Sequence, residues 1–492
     1  MPGYHVENFG CRATQADGAA LERQFEERGM SRASTPAQAS VVIFNTCTVT
    51  AGADQDARAA IRRLRRQNHE AQIVVTGCYA QRAPEEIAAL PGVGLVIGNS
   101  HKHELAEIVL RKDRPLAAGS STFVPLTALT ALGSREPEAG NPIFVSDIFA
   151  HTELLAAPVF DAANERTRPN LKVQDGCDNR CSFCVIPYVR GQSRSLESDR
   201  ILQEVFTLVK NGYREVVVSG INLGRWGRDL SLSSQPSAVS DSHQRPTTDD
   251  RRLTSLIGAI LSETALEKLR ISSVEPMDWT EELIELVATS PRIAKHAHVP
   301  MQSGSDAVLR RMHRKYRPWH YREKIEKIRA AMPTAAIGAD VMVGFPGETD
   351  AEFEATRRLI EELPLTYLHV FTYSARPGTP AATMPNQVPV HIARERNRIL
   401  RELGEEKKLA FMRGFVGRSV EAITLNVIGS DAGGEFTESL TDNYLKLRLR
   451  GRHEGNHWVQ ARVAEVIGVA LRGMKDFDKS PTSSEAVSPT IG

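Results

Sequence analysis

Three cysteines packed into eight residues are the most reactive feature of the sequence. Cys177, Cys181 and Cys184 are separated by three and then by two residues. Cysteine thiolates are the usual protein ligands of [4Fe–4S] clusters, and three of them leave one iron open to a small molecule. A structural zinc ion normally takes four ligands, and His151 and His243, the nearest histidines, are distant in the sequence. The spacing therefore favours a cluster with an open iron over a zinc site, a disulfide or three buried thiols.

A second set of three cysteines is widely spaced near the N-terminus. Cys11, Cys47 and Cys78 each follow a segment that is predicted to form a strand. Ligands bind outside the carboxyl ends of the strands in open α/β sheets, so we expect the three thiols to converge on one edge. The alternative is three buried free thiols, which are common in cores. The strands are Tyr4–Phe9, Val41–Thr46 and Ile73–Thr76, and the helices between and after them are Gly18–Arg28, Asp54–Gln67 and Pro84–Leu90.

The bulk composition sets limits on the class of protein. The chain has 492 residues, of which 41% are hydrophobic and 25% charged, with a net charge of +1. The length predicts about two to four domains, and the near-zero charge excludes a global attraction to nucleic acid. No apolar run reaches the ~18 residues of a membrane span, and Met1–Cys11 lacks the apolar core of a signal peptide. We expect a cytoplasmic protein with no membrane contact and with free cysteines.

The middle of the chain alternates strands with helices and is predicted to form a second α/β domain. Six such units indicate a parallel barrel, closed or open, whose active site lies at the carboxyl ends of the strands. The loop with the three close cysteines follows the first of these strands. The predicted strands are Leu171–Gln174, Glu215–Ser219, Leu269–Ser272, Ala297–Pro300, Ile337–Val343 and Tyr367–Thr372. The predicted helices are Glu197–Asn211, Leu253–Ser262, Thr280–Thr289, Trp319–Ala331 and Asp350–Glu362.

Several motifs carry a resemblance to a known family. The close cysteine spacing, with the aromatic Phe183 before its last cysteine, resembles the signature of radical S-adenosylmethionine (SAM) enzymes. Together with the wide set, it resembles the radical SAM methylthiotransferase family from about Tyr4 to Gly473. Other stretches that resemble this family are Phe9–Arg12, Asn45–Thr50, Gly77–Gln81, Lys172–Cys177 and His298–Asp306. The segment Arg12–Asp17 departs from the family pattern, which puts in doubt any substrate contact beside Cys11.

The resemblance implies an α/β protein of three domains. Residues 1–112 are expected to form an N-terminal parallel-sheet domain, and 168–405 a partial (β/α)6 TIM-like radical SAM barrel with a polar insertion at 229–252. Residues 406–473 show short alternating runs typical of a small β-barrel, and by resemblance this is an RNA-binding TRAM domain, which is OB-like. Residues 113–167 are expected to be a connector and 474–492 a disordered tail.

The resemblance also implies cofactors, a reaction and partners. Each cysteine set would bind one [4Fe–4S] cluster, with SAM on the open iron of the close set as the source of a 5′-deoxyadenosyl radical. The wide set would supply sulfur for a methylthio group. The motifs Thr48–Thr50 and Tyr79–Gln81 favour the branch that modifies N6-threonylcarbamoyladenosine (t6A) at position 37 of transfer RNA (tRNA). An electron donor such as flavodoxin or ferredoxin, and a sulfur donor, are implied partners.

The residues expected to contact SAM follow successive barrel strands. Glycine permits close approach of a ligand to the backbone, and polar side chains at strand ends reach into a barrel active site. The resemblance places the loop at Gly220 along the amino-acid part of SAM, and the loop after the third strand near its ribose. The expected residues are Phe183, Gly220, Asn222, Ser272, Glu275, Gln302, Ser303 and Gly344.

Other functions and contacts stay open. The same family includes enzymes that act on isopentenyladenosine-37 of tRNA or on an aspartate of a ribosomal protein. A non-catalytic iron–sulfur protein that binds RNA or transfers electrons is a further alternative, and it would not cleave SAM. Two basic runs are candidate RNA contacts, although a charge run is more often a solvated face. They are Arg58, Arg62, Arg63, Arg65 and Arg66, and Arg310, Arg311, Arg314, Lys315 and Arg317.

Overall fold

A computed structural model of the chain describes residues 3–111, 142–151, 154, 168–230 and 252–476. The chain divides into two compact units, Met1–Glu405 and Glu406–Gly492. Most of the expected connector 113–167, insertion 229–252 and tail 474–492 lies outside the described residues.

The first unit begins with a six-stranded parallel sheet in the order β2-β1-β3-β4-β5-β6. Its strands are β1 (Gly3–Asn8), β2 (Ser31–Arg32), β3 (Val41–Thr46), β4 (Gln72–Gly77), β5 (Val93–Gly98) and β6 (Ile143–Phe144). Its helices are α1 (Arg12–Glu26), α2 (Ala51–Gln67), α3 (Cys78–Arg82), α4 (Pro84–Ala88) and α5 (Leu105–Leu110). The three predicted strands are confirmed. The central strand β3 is buried at all six residues, as expected for a sheet covered on both faces.

The structure corrects the start of the first helix. The expected helix began at Gly18, whereas α1 begins at Arg12, with Cys11 as its N-cap. Gly18 lies inside α1, where a Cβ would sit 2.0 Å from Oδ1 of Asn8, so glycine is needed for close packing and does not mark a boundary. The helix therefore starts directly after the first cysteine.

Six parallel strands of the second α/β region form an open barrel. They are β7 (Asn170–Asp175), β9 (Glu215–Gly220), β10 (Lys268–Ile271), β11 (His296–His298), β12 (Ala336–Val343) and β13 (Tyr367–Thr372), and β8 (Arg194–Ser195) pairs antiparallel with β7. Backbone pairing gives two sheets, β10-β9-β7-β8 and β11-β12-β13. The amide of Ala294, just before β11, donates to the carbonyl of Leu269 in β10 at 2.9 Å and links the two sheets.

Helices cover the outer face of this barrel. They include α6 (Ile186–Arg190), α7 (Ser198–Lys210), α8 (Leu253–Glu263), α9 (Glu281–Thr289), α10 (Asp306–Arg311), α11 (Pro318–Ala331), α12 (Asp350–Glu362) and α13 (Val390–Arg413). Their apolar faces share one core with alternate strand residues such as Val218, Leu269, Ala297 and Val341. The predicted strand that ended at Pro300 is shorter, since β11 ends at His298.

The second unit contains a closed five-stranded barrel in the order β14-β15-β16-β18-β17. Its strands are β14 (Ser419–Asp431), β15 (Gly434–Thr441), β16 (Lys446–Arg450), β17 (Trp458–Ile467) and β18 (Ala470–Lys475). The alternating runs of the sequence, Ser419–Leu425, Tyr444–Leu449 and Val459–Val466, correspond to β14, β16 and β17, whereas β15 and β18 were not predicted. Among the described residues, no helix is both long enough and apolar enough to span a membrane.

Candidate active site

The close cysteine loop lies at the carboxyl end of the first barrel strand. It joins β7 to α6, and its three cysteines are free thiols that are partly exposed. Gly176 has a left-handed φ of +71°, and a Cβ there would lie 1.9 Å from the carbonyl oxygen of Gln192, so glycine is required at this turn. The amide of Cys177 donates to the carbonyl of Gly191 at 3.1 Å, which closes the loop.

The three thiols of this loop lie close enough to perturb one another. Burial raises the pKa of Cys184 to about 12, and the neighbouring thiolates of Cys181 and Cys177 contribute in the same direction. Two hydrogen-bond donors face the sulfurs: Nδ2 of Asn222 lies 3.6 Å from Sγ of Cys177, and Nη1 of Arg314 lies 3.3 Å from Sγ of Cys181. Hydrogen bonds to the sulfurs tune the potential of an iron–sulfur cluster. Three convergent thiols surrounded by donors fit a cubane cluster with one open iron.

A small cleft of about 30 Å³ borders the loop. Cys181, Glu275 and Arg314 all line it, together with Asn179 and Met277. Arg314 is buried and forms an ion pair with Glu275 in addition to its contact with Cys181. The cleft therefore presents both a carboxylate and a guanidinium to a polar ligand beside the loop.

Four of the residues expected to contact SAM lie at the strand ends around this loop. Asn222 contacts Cys177, and Glu275 lines the cleft. Gly220 ends β9, and a Cβ there would lie 2.9 Å from Cβ of Gln174 in β7. The Oγ atom of Ser272, after β10, is buried and has no hydrogen-bond partner within the described part of the chain.

The other four expected residues make contacts within the protein. Phe183 packs against the barrel core, and Oγ of Ser303 bonds with Oγ1 of Thr356 at 3.1 Å. Gln302 has a left-handed φ of 62° and forms an isolated bridge with Val341. A Cβ on Gly344 would lie 2.6 Å from Cβ of Ala393. These contacts position the loops at the barrel mouth.

The wide cysteine set converges on one edge of the N-terminal sheet. Cys47 directly follows β3, Cys78 opens α3 directly after β4, and Cys11 caps α1. Burial raises the pKa of Cys47 to about 12, and the thiolates of Cys78 and Cys11 contribute in the same direction. The three sulfurs are therefore close enough to interact electrostatically. All three are free thiols, with Cys11 exposed and the other two buried. As in the close set, three convergent thiols fit a cubane cluster with one open iron.

One contact joins the wide cysteine set to the segment that follows the close set. Cys78 of the wide set packs against Val185 and Val189, which follow Cys184 of the close set. Nδ2 of Asn99 donates to the carbonyl of Val189 at 2.7 Å and lies 3.6 Å from Sγ of Cys78. One side chain thus contacts both regions.

A buried charge network behind this contact was not expected from the sequence. Asp17 of α1 accepts hydrogen bonds from Lys102 at 3.0 Å and from Arg190 at 2.9 Å, and it pairs with Lys172. Asp175 pairs with Lys172 at 2.8 Å and with Arg190 at 2.9 Å. All five side chains are buried. Lys172 and Asp175 stand in a strand that is buried at all six positions, but the local sequence does not show which partners they have.

A second network, centred on Asp54, joins the same two regions. Asp54 of α2 pairs with Arg82 at 3.0 Å and with Arg376, which follows β13. Oγ1 of Thr48 donates to Asp54 at 2.7 Å and accepts from Arg376 at 2.9 Å. Thr48, one of the motif residues, therefore has a structural contact.

The basic runs are largely engaged within the protein. In the second run, Arg311 pairs with Glu352 at 2.8 Å, Arg314 contacts the close cysteine loop, and Arg310 pairs with Asp306 at 2.9 Å. In the first run, Arg58 pairs with Glu86. These ion pairs do not exclude RNA contacts, because Arg310 is 60% exposed, so the role of both runs stays a prediction.

Comparisons with known proteins agree with this arrangement. Residues 3–98 match the profile described as "Uncharacterized protein family UPF0004", and residues 171–360 match the radical SAM superfamily. The chain is 34% identical to the threonylcarbamoyladenosine tRNA methylthiotransferase MtaB of Aquifex aeolicus, over 91% of this chain and 97% of that protein. It is 36% identical to MtaB of Rickettsia prowazekii, over 86% and 87%. The chain belongs to the radical SAM methylthiotransferase family. It is therefore a radical SAM enzyme whose cofactors are SAM and a [4Fe–4S] cluster.

The chain is also similar to a methylthiotransferase named for a different nucleoside and to a solved radical SAM structure. The tRNA-2-methylthio-N(6)-dimethylallyladenosine synthase of Novosphingobium aromaticivorans is 34% identical, over 85% of this chain and 86% of that protein. The radical SAM methyltransferase TsrM of Kitasatospora setae, solved with a SAM analogue, superposes with a TM-score of 0.51 at 14% identity. That alignment covers 77% of this chain and 74% of that one, and it shows a shared fold.

Proposed function

We propose that the protein converts t6A at position 37 of tRNA to its 2-methylthio derivative, with one [4Fe–4S] cluster on each cysteine set. The observation that supports this proposal is the contact of Cys78 with Val185 and Val189, which brings one cysteine of the wide set against the segment that follows the close set. A division between radical generation and sulfur supply requires two such sites near one substrate. Because tRNA is the substrate, we place the protein in the cytoplasm.

When bound, these groups would supply a radical that removes an unreactive C–H hydrogen, the sulfur that replaces it and, from a second SAM molecule, the methyl group. The chain itself holds and orients these groups. Asn222 and Arg314 donate toward the sulfurs of Cys177 and Cys181, and Glu275 stands beside them in the cleft. Residues Gly220, Ser272, Gln302, Ser303 and Gly344 would shape the SAM site directly or through their loops.

The substrate base must leave its stack to enter the barrel, which costs a few kcal/mol. An unpaired loop base pays less than a paired one, and this favours an anticodon-loop adenosine. We assign RNA backbone contacts to the C-terminal barrel by analogy with OB folds. Its surface has a groove of about 390 Å³ lined by Arg448, Arg450, Arg472 and Phe436, together with the acidic Asp431, Glu435 and Glu465.

Sequence identity alone does not choose the nucleoside, since a relative named for dimethylallyladenosine is as similar as one named for t6A. The contexts of Cys47 and Cys78 favour t6A. We would incubate reconstituted enzyme, SAM and a reductant with tRNA that carries either t6A or isopentenyladenosine, and identify products by mass spectrometry. A methylthio product only from isopentenyladenosine would reassign the substrate.

The two-cluster proposal is tested with cysteine variants. Cys181→Ala should abolish both 5′-deoxyadenosine formation and the methylthio product. Cys47→Ala should keep 5′-deoxyadenosine formation and lose the product, with iron falling from about eight to about four per chain. A Cys47→Ala enzyme that still thiolated tRNA would refute the proposed division of labour. Wild type that formed no 5′-deoxyadenosine would favour a non-catalytic protein.

A further inference from the structure

The lumen of the barrel is polar, unlike the packed apolar interior that is usual for this architecture. Successive side chains of a strand point to opposite faces, and the outward residues of these strands belong to the helix-covered core. The inward positions are mostly polar, and they include Asn170, Lys172, Gln174, Glu215, Arg270, His296, His298, Asp340 and His369. Several of these side chains pair with one another or with α1, as Arg270 does with Glu215 and Lys172 with Asp17.

Three of these side chains form a compact set of potential metal ligands. His298 of β11, Asp340 of β12 and His369 of β13 offer one ligand atom each, and the three atoms lie within 4.8 Å of one another. Asp340 and His369 are direct neighbours in the register of β12 and β13. The backbone therefore fixes two of the three ligands side by side.

The distances within the set fit a shared ion. Oδ1 of Asp340 lies 3.2 Å from Nε2 of His298 and 3.4 Å from Nδ1 of His369. The first distance is at the upper limit of a nitrogen–oxygen hydrogen bond of about 2.7–3.2 Å, and the second exceeds it. Ligands at about 2.0–2.1 Å from a tetrahedral zinc ion are separated by roughly 3.3 Å. Nε2 of His298 is buried and makes no hydrogen bond within the described structure.

The surroundings orient the ligand atoms. Oγ of Ser273 lies 2.8 Å from Nδ1 of His298, so this bond engages one ring nitrogen and leaves Nε2 facing Asp340. Metal-bound histidines usually have such a partner on the second nitrogen.

We propose that His298, Asp340 and His369 bind a divalent transition-metal ion in the barrel lumen, separate from both cysteine sets. Imidazole and carboxylate ligands suit Zn²⁺ and similar ions, and three protein ligands leave a fourth position open. His369 is 52% exposed, so this position is accessible from the lumen. An oxygen atom of the nucleoside would occupy it, a step that rests on the proposed function, whereas ion binding does not.

The test uses holoprotein with both clusters reconstituted, so that the cysteines are occupied. Zn²⁺ is added by equilibrium dialysis, and bound zinc and iron are counted per chain. We expect about one zinc per wild-type chain, little in Asp340→Asn or His369→Gln, and 10–100-fold weaker binding in Ser273→Ala. His391→Gln, an exposed histidine on α13, is the matched control and should bind like wild type.

Zinc K-edge absorption identifies the ligands. A nitrogen and oxygen shell near 2.0 Å with imidazole scattering is expected, whereas a sulfur shell near 2.3 Å would place the ion on cysteines and overturn the proposal. Absence of stoichiometric zinc, or equal binding by wild type and His369→Gln, would overturn it as well. Unchanged iron content shows that each variant is folded. Because no tRNA is used, a negative result leaves the methylthiotransferase proposal intact.

Discussion

At the scale of single residues, the geometry around Cys11 and Cys47 requires a glycine at position 10. Its φ is +102°, and a Cβ built there would lie 2.4 Å from Cβ and 2.8 Å from Sγ of Cys47. Only glycine allows the loop that carries Cys11 to approach the end of β3 this closely. The residue type is therefore set by the convergence of two of the N-terminal cysteines.

We predict that Gly10→Ala separates Cys11 from Cys47 and prevents assembly of the N-terminal cluster. Iron should fall from about eight to about four per chain, while 5′-deoxyadenosine formation continues. Gly29→Ala is the control, since Gly29 also has a positive φ but nothing within 4 Å of its added Cβ. That variant should retain full iron and cost about 1–2 kcal/mol of stability from backbone strain. Full iron content in Gly10→Ala would contradict the inferred geometry.

At the scale of elements, alternation and spacing predicted most strands, but not the side chains that join them. The strands before Cys47 and Cys78 were found because their apolar runs end at turn residues. The short edge strands β2 and β6 were not predicted, because a two-residue strand forms only through its pairing with a neighbour. The full extent of α1 was not predicted either, because the glycine inside it is tolerated for its tertiary packing. The charge partners of Asp17 and Asp54 lie far away in sequence, and no local pattern reveals them.

The pairing of β12 with β13 gives a prediction at this scale. The ring of Tyr367 lies across Gly338, where an added Cβ would be 2.0 Å from Cζ of the tyrosine. Gly338→Ala should displace that ring, break its 2.7 Å hydrogen bond to His296 and cost about 1–3 kcal/mol, as overpacking does. Gly94→Ala in β5, with its nearest neighbour at 3.5 Å, should leave stability unchanged or slightly higher. Urea unfolding of both variants tests this, and equal midpoints would contradict it.

At the scale of the whole first unit, two buried ion networks join the N-terminal sheet to the barrel, one through Asp17 and one through Asp54. Buried ion pairs are weak sources of stability, but removal of one partner is costly because it leaves an uncompensated charge. Both networks lie beside the cysteine sets. Their role is therefore to fix the relative position of the two sites.

Asp17→Asn tests this energetically. Burial raises the pKa of Asp17, but Arg190, Lys102 and Lys172 together lower it well below its ordinary value. A depressed pKa contributes stability that is present above the unfolded value of about 3.9 and is lost as the pH falls below it. The variant should be less stable by about 3–5 kcal/mol, constantly between pH 8 and about pH 5, with a smaller difference below about pH 4. Urea midpoints across this range check the sign, and a difference that grows on acidification would contradict it.

The same network should control how efficiently radical formation leads to product. Arg190 follows the close cysteine loop on α6 and contacts both Asp17 and Asp175, so it links the segments that carry the two cysteine sets. Arg190→Lys keeps the charge but cannot reproduce the paired contacts of a guanidinium. A misplacement of about 1 Å can cost up to about 10²-fold in rate, and we expect about tenfold more 5′-deoxyadenosine per methylthio product at unchanged iron content. Arg23→Ala is the control, because its ion pair with Glu204 at 3.2 Å joins the same two regions but is more exposed and belongs to neither network. A ratio that rose equally in both variants would indicate general loosening of the domains, whereas a rise in Arg190→Lys alone would identify this arginine as a positioning residue.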